Sequence, residues 1–226
     1  MTFDDRIVRE VRKALKPLAD PVRAAGAQAY MKNIAPFLGV ATPERRAAIK
    51  PIYKSLVPAD SNELGHAARA LMNLREREYS YAAYDLIQFH IAVADRNFLA
   101  DHVEDLLTTK SWWDTVDGLG SAAVSPLTVK YPNKRLIERW IKSPDKWLVR
   151  AAIQHQRGRR TDTDVDYVLE LCARHSDSRE FFITKAVGWA LRDIAAFNKP
   201  AVRTYLKRFP HLDRVAVREA ERGLNR

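Results

Sequence analysis

The chain has 226 residues, 46% of them hydrophobic, enough for one sizeable core and ordinary for a folded protein. A single cysteine, Cys172, excludes an intrachain disulfide or an iron–sulfur cluster, and no apolar run approaches the roughly eighteen residues that a membrane span needs. Lys and Arg number 38 against 28 acidic residues, a formal charge of +10 that directs the search for a partner toward polyanions.

The opening MTFDDRIVREV is charged from its fourth residue and lacks the apolar core of a secretory signal, so a cytoplasmic location is expected. A single domain over residues 1–226 is the default at this length. Apolar residues recur at helical spacing almost throughout, while strand-like alternation is hard to find. Ile7, Val8, Val11, Leu15 and Leu18 form one stripe in the first helix. Asp20 and Pro21 open the second with a capping residue followed by proline at the first helical position. Thr42-Pro43 repeats that signature, and Asp60, Asn133, Asp145 and Asp162 are further expected caps. The pattern predicts about a dozen helices of roughly 10 to 16 residues.

Midway along the chain, SWWDTVDGLG places Trp112, Trp113, Asp114 and Asp117 within one helical stretch. Trp113 and Asp117, four apart, share a face. Asp114, at the expected helix start, reads as a dipole or capping residue, and Trp112 as packing. Gly118 and Gly120 weaken this helix by roughly 1 kcal/mol each relative to alanine, a cost that close approach of another helix or of DNA would offset. Between Lys130 and Arg160 ten basic residues face two acidic ones, Glu138 and Asp145. A cluster of this kind suits phosphate binding through counterion release, and equally suits a solvated basic face.

Aromatic residues at Tyr79, Trp113, Trp147 and Phe181 are each separated by 34 residues. That period fits a helix, a turn, a second helix and another turn, the unit of an α-solenoid. In this register Asp117, Arg150 and Lys185 fall at one position of successive repeats, an acid beside two bases, and Lys185 shares a face with Phe182 and Trp189. Recurring aromatics of this sort are also ordinary packing residues, which is the expected role of Trp147 and Phe181. Cys172, in DYVLELCARH, lies on an apolar stripe and is expected in the core. The six histidines show no metal-ligand spacing, and no glycine-rich phosphate loop or G-x-S-x-G elbow is present, so neither a metal nor a cofactor is expected.

The segments YMKNIAPFLGVATPERR (30–46), TTKSWWDTVDGLG (108–120), SPDKWLVRAAI (143–153) and FFITKAVGWALRD (181–193) together resemble the AlkD-like DNA alkylation repair glycosylase family. The resemblance implies an all-α fold: a HEAT-like α-solenoid of about six helical pairs with a concave, basic DNA-binding groove. It implies a monofunctional glycosylase that hydrolyses the N-glycosidic bond of cationic N3- and N7-alkylated purines, 3-methyladenine and 7-methylguanine, in double-stranded DNA, without rotating the base into a pocket. Asp117 is similar to the family's catalytic carboxylate, and Trp113 and Trp189 to its sugar-facing tryptophans. Arg150 matches the arginine thought to hold the DNA backbone, and Arg192 falls on that of GW-x-LR, a second phosphate contact. Lys185 joins them from the register above. A further basic contact falls among Arg157, Arg159 and Arg160, because Gly158 stands at the matching position. Tyr30 is either a DNA contact or part of the amino-terminal core. The partner expected is alkylated duplex DNA, bound by a monomer, with no membrane and no metal. The alternatives are a catalytically silent DNA-binding solenoid and a protein-interaction scaffold.

Overall fold

The computed structural model describes residues 1–225, and every regular element among them is helical. The helices group into two compact units, one over Met1–Ser111 and one from Trp112 onward. The first contains α1 (Phe3–Leu15), α2 (Pro21–Tyr30), α3 (Thr42–Ser55), α4 (Ser61–Met72), α5 (Arg77–Phe89) and α6 (Glu104–Thr108). The second contains α7 (Trp113–Leu119), α8 (Ser125–Lys130), α9 (Lys134–Ile141), α10 (Lys146–Ile153), α11 (Val165–Ala173), α12 (Phe181–Ala195), α13 (Lys199–Arg208) and α14 (Arg214–Leu224).

In the first unit α1 packs on α3 and α4, and α5 on α3 and α4. Phe3, Ile7, Val11 and Leu15 form the buried stripe of α1; Val8 sits at its edge, and Leu18 is 37% exposed in the turn that follows. The buried Glu78 carboxylate accepts from the amides of Leu38, Gly39 and Val40, tying the loop before α3 to α5. No residue of α2 is buried, and Tyr30 at its end is 73% exposed.

In the second unit α7, α10, α12 and α14 pack side by side in that order, with α9, α11 and α13 filling a layer behind them. Cys172 is fully buried in α11, as its stripe predicts, and burial pushes its thiol up to about 12. Asp20, Asp60, Asn133 and Asp145 cap their helices as expected. Two caps differ. The helix near Thr42-Pro43 starts at Thr42 itself, because Glu44 reaches back to the Ala41 amide at 3.2 Å. Asp162 belongs to a short 3-10 turn, and Asp164 caps α11 by accepting from Tyr167 N at 3.1 Å. The helices are also more numerous and shorter than the expected dozen. Wider π turns interrupt two of them, at Leu99–Val103 and Gly120–Val124, and Pro132 and Pro144 punctuate the chain around α9.

Candidate active site

Trp112 is extended (φ −153°, ψ 167°), and the Thr115 hydroxyl accepts from its amide and donates to its carbonyl, which fixes where α7 begins. Asp114 lies in the first turn, where an acid favours the helix dipole. Asp117 comes one turn after Trp113. Asp145 accepts from Trp147 N at 2.7 Å to start α10, and Glu180 accepts from Phe182 N at 3.4 Å to start α12. The rings of Trp112, Trp147 and Phe182 then meet at centroid distances of 5.8, 5.0 and 4.8 Å. This aromatic cluster sets the spacing of the three helix starts, and Trp147 within it is buried.

One turn deeper, Arg150 crosses from α10 to α7. Its Nε and one terminal nitrogen donate to the two oxygens of Asp117, both at 2.8 Å, and the other terminal nitrogen donates to the Phe182 carbonyl at 2.8 Å. Gln154 adds a donor to Asp117 at 3.3 Å. Arg150 is 1% exposed and the Asp117 side chain 13%, so the carboxylate is held rigidly but still reaches the surface. A carboxylate has about four lone-pair sites, and three are engaged by these donors. The remainder can face a ligand.

Trp189, two turns into α12, has four cations around its ring. Arg157 lies 4.5 Å from the centroid, Arg150 5.2 Å, Arg192 5.5 Å and Lys185 5.9 Å. The negative face of an indole attracts cations, and here it collects those of three segments. Arg157 is 36% exposed and also comes within 4.0 Å of Asp117, so it links the carboxylate to the indole. Beside Trp189 opens a cavity of about 280 Å³, lined among others by Arg157, Arg160, Arg192, Asp193 and Phe197. Burial raises the Asp193 carboxyl above its ordinary range, with Arg157 and Arg192 opposing the shift.

A buried carboxylate on a surface that also collects cations is suited to binding an anion and stabilising a transient cation beside it. Residues 11–224 of this chain match the model of a family described as DNA alkylation repair enzyme. The chain belongs to the DNA alkylation repair enzyme family. A predicted DNA alkylation repair enzyme from Enterococcus faecalis has a similar structure, with a TM-score of 0.82 and 27% identity, over 89% of this chain and 94% of that one. The all-helical class expected from the residues is shared with it. Comparison with curated proteins gives no match.

In this DNA alkylation repair enzyme the sequence-predicted residues divide. Asp117, Arg150, Lys185, Trp189, Arg192 and Arg157 converge, and Trp113 stands one turn before Asp117. Arg150, expected on the DNA backbone, is buried and directs its donors to Asp117 and Phe182. Arg159 turns inward: one terminal nitrogen donates to the carbonyls of Ser125 and His155 and to the Thr128 hydroxyl, bracing α8 against the loop after α10. Burial lowers its guanidinium pKa. Arg160 is exposed, with a left-handed backbone (φ +53°). Nothing lies within 4 Å of a Cβ placed on Gly120, so no helix approaches there.

Sequence reasoning missed two residues, Gln154 and Glu219. Glu219 on α14 is fully buried and binds Lys185 and Arg192 at 2.6 Å each and Arg222 at 2.7 Å. It stands 34 residues after Lys185, so one more step of the repeat would have found it. Among the described residues no group of three or more His, Cys, Asp or Glu side chains converges on a metal-sized point. No helix is long and apolar enough to cross a membrane.

Proposed function

We propose that the chain is a monofunctional DNA glycosylase that excises N3- and N7-alkylated purines from double-stranded DNA. The observation that carries this reading is the Asp117 carboxylate, clamped by Arg150 and Gln154 beside the cation-ringed Trp189. Alkylation at N3 or N7 makes the purine a cation. As the bond from C1′ to the base nitrogen breaks, its electron pair neutralises the departing base and positive charge moves to the deoxyribose, giving an oxocarbenium-like transition state. A preorganised carboxylate stabilises that charge, and removing such a group costs on the order of a hundredfold or more in rate. Water then adds to C1′ and loses a proton, which Asp117 or solvent accepts.

In this reading Trp113 and Trp189 hold the sugar through their negative faces, each worth about 0.5 to 2 kcal/mol. Arg150 orients Asp117, while the more exposed Arg157, Arg160, Lys185 and Arg192 meet phosphates, and Tyr30 adds a contact from the first unit. Both compact units act as one DNA-binding domain, since the family match runs across them. The base already carries the activating charge, so tight enclosure is unnecessary and base rotation is not part of the scheme. Purified protein is expected to release 3-methyladenine and 7-methylguanine from duplex DNA and to leave the neutral 1,N6-ethenoadenine in place; efficient release of ethenoadenine would overturn the scheme.

One observation favours a second reading, a DNA-binding protein without catalysis. Arg150 offsets the charge of Asp117 at 2.8 Å through two hydrogen bonds, as a purely structural ion pair would. Tight duplex binding with no release of any cationic purine would select it.

A further inference from the structure

Asp117, Arg150, Lys185 and Glu219 fall at successive separations of 33, 35 and 34 residues, one on each of α7, α10, α12 and α14. The four helices pack in that order, and the side chains pair across them: Arg150 with Asp117, Lys185 with Glu219. Both bases lie within 6 Å of the Trp189 centroid. The row thus ends in a second carboxylate, which takes Lys185 and Arg222 on one oxygen and Arg192 on the other. Burial alone raises a carboxyl pKa, but here the hydrogen bond and charge of Lys185, with Arg192 and Arg222, hold it below the ordinary value.

Backbone packing places Glu219 there. A Cβ on Gly188 would come within 2.8 Å of Glu219 Cβ and 2.9 Å of Ala216 Cα. Only glycine at the residue before Trp189 lets α14 lie this close to α12, and that closeness brings Glu219 into reach of Lys185 and Arg192.

We propose that Glu219 is a positioning residue: its buried carboxylate fixes Lys185 and Arg192 beside Trp189 and offsets their charge, so that cations gathered for the DNA backbone do not oppose the sugar cation at Asp117. The proposal rests on the glycosylase reading. Its logic is a conflict within the site. Phosphate binding favours more positive charge around Trp189, whereas an oxocarbenium-like transition state favours less. Arg150 is already offset by Asp117; without Glu219, Lys185, Arg192 and Arg222 would all lose their partner.

The test is Glu219→Gln, assayed in single turnover on a duplex with one 7-methylguanine, with the rate constant at saturation, the half-saturating concentration and the Tm measured separately. The rate constant is expected to fall by about tenfold or more while half-saturation stays unchanged or improves. The slope of log affinity against log salt is expected to steepen by up to about one. Glu219→Asp, which keeps the charge, is expected to recover part of the rate. A merely structural role predicts a lower Tm with an unchanged rate constant for the folded protein; that result, or a rate and an affinity that both fall, overturns the proposal. If Glu219→Gln does not fold, Gly188→Ala, which only displaces the carboxylate, is expected to give the same split in milder form, and an unaltered rate there is equally contrary. Wild-type protein that binds the duplex but releases no purine contradicts the glycosylase reading instead. In that case an unchanged salt slope in Glu219→Gln would still refute charge compensation.

Discussion

Arg150 and Asp117 show how a single contact reassigns a side chain. Arginines are ordinary phosphate ligands, but a guanidinium that is 1% exposed, with donors on a carboxylate and a backbone carbonyl, serves the protein interior. Removing one partner of a buried pair leaves the other charge uncompensated, at a cost of about 3 to 5 kcal/mol. Arg150→Met is therefore expected to lower unfolding stability in urea by that order, with an unchanged denaturant slope. A loss under about 1 kcal/mol would show that Asp117 is held by other means. The positions of Trp113, Asp117 and Trp189 were legible in the sequence, because helical spacing and the family resemblance both mark them. The fates of Arg157, Arg159 and Arg160 were not. Three arginines in four positions look alike until Ser125, Thr128 and His155 draw one of them inward.

Among the elements, α7 and α12 carry glycines with opposite constraints. Gly120 begins a π turn and has open space beside it, whereas Gly188 faces the backbone of α14 within 3 Å of an added Cβ. Gly120→Ala is expected to stabilise the free protein by up to about 1 kcal/mol through lower unfolded-state entropy. Gly188→Ala is expected to destabilise it by about 1 to 3 kcal/mol through overpacking. Thermal unfolding of the two variants checks both signs, and a higher Tm for Gly188→Ala would show that α14 yields without cost. The sequence located most helix starts, since Asp, Asn and proline signals are local. It placed one cap at Asp162 and not at Asp164, because both acids stand before an apolar run and only the 3-10 turn at Arg160–Asp162 separates them. The π turns have no comparable local signal.

For the whole molecule, stability is expected to depend on pH through His155. Burial depresses its pKa from 6.5 to about 4, its Nδ1 lies 2.8 Å from the Ala152 carbonyl, and its Nε2 lies 3.1 Å from the Gln156 amide nitrogen. The unfolded chain binds a proton more readily, so this group leaves stability intact above about pH 6.5 and weakens it as pH falls toward 4, by about 3 kcal/mol in all. His155→Gln is expected to flatten that part of the urea-midpoint profile, and an unchanged profile would assign the pH dependence elsewhere. The 34-residue period, legible in four aromatics, reflects the order in which α7, α10, α12 and α14 pack. Its extension to Glu219 was hidden because the carboxylate matters only through cations that approach it from α12 and from its own helix.

The central claim is that Asp117 stabilises a sugar cation in alkylated duplex DNA. Release of 7-methylguanine from a defined duplex, compared between wild-type protein and a folded, DNA-binding Asp117→Asn variant, tests it most directly. The account predicts release by the wild type and a loss of roughly a hundredfold or more in the variant, with duplex affinity retained. Equal release by the two proteins, or none by either, would contradict it.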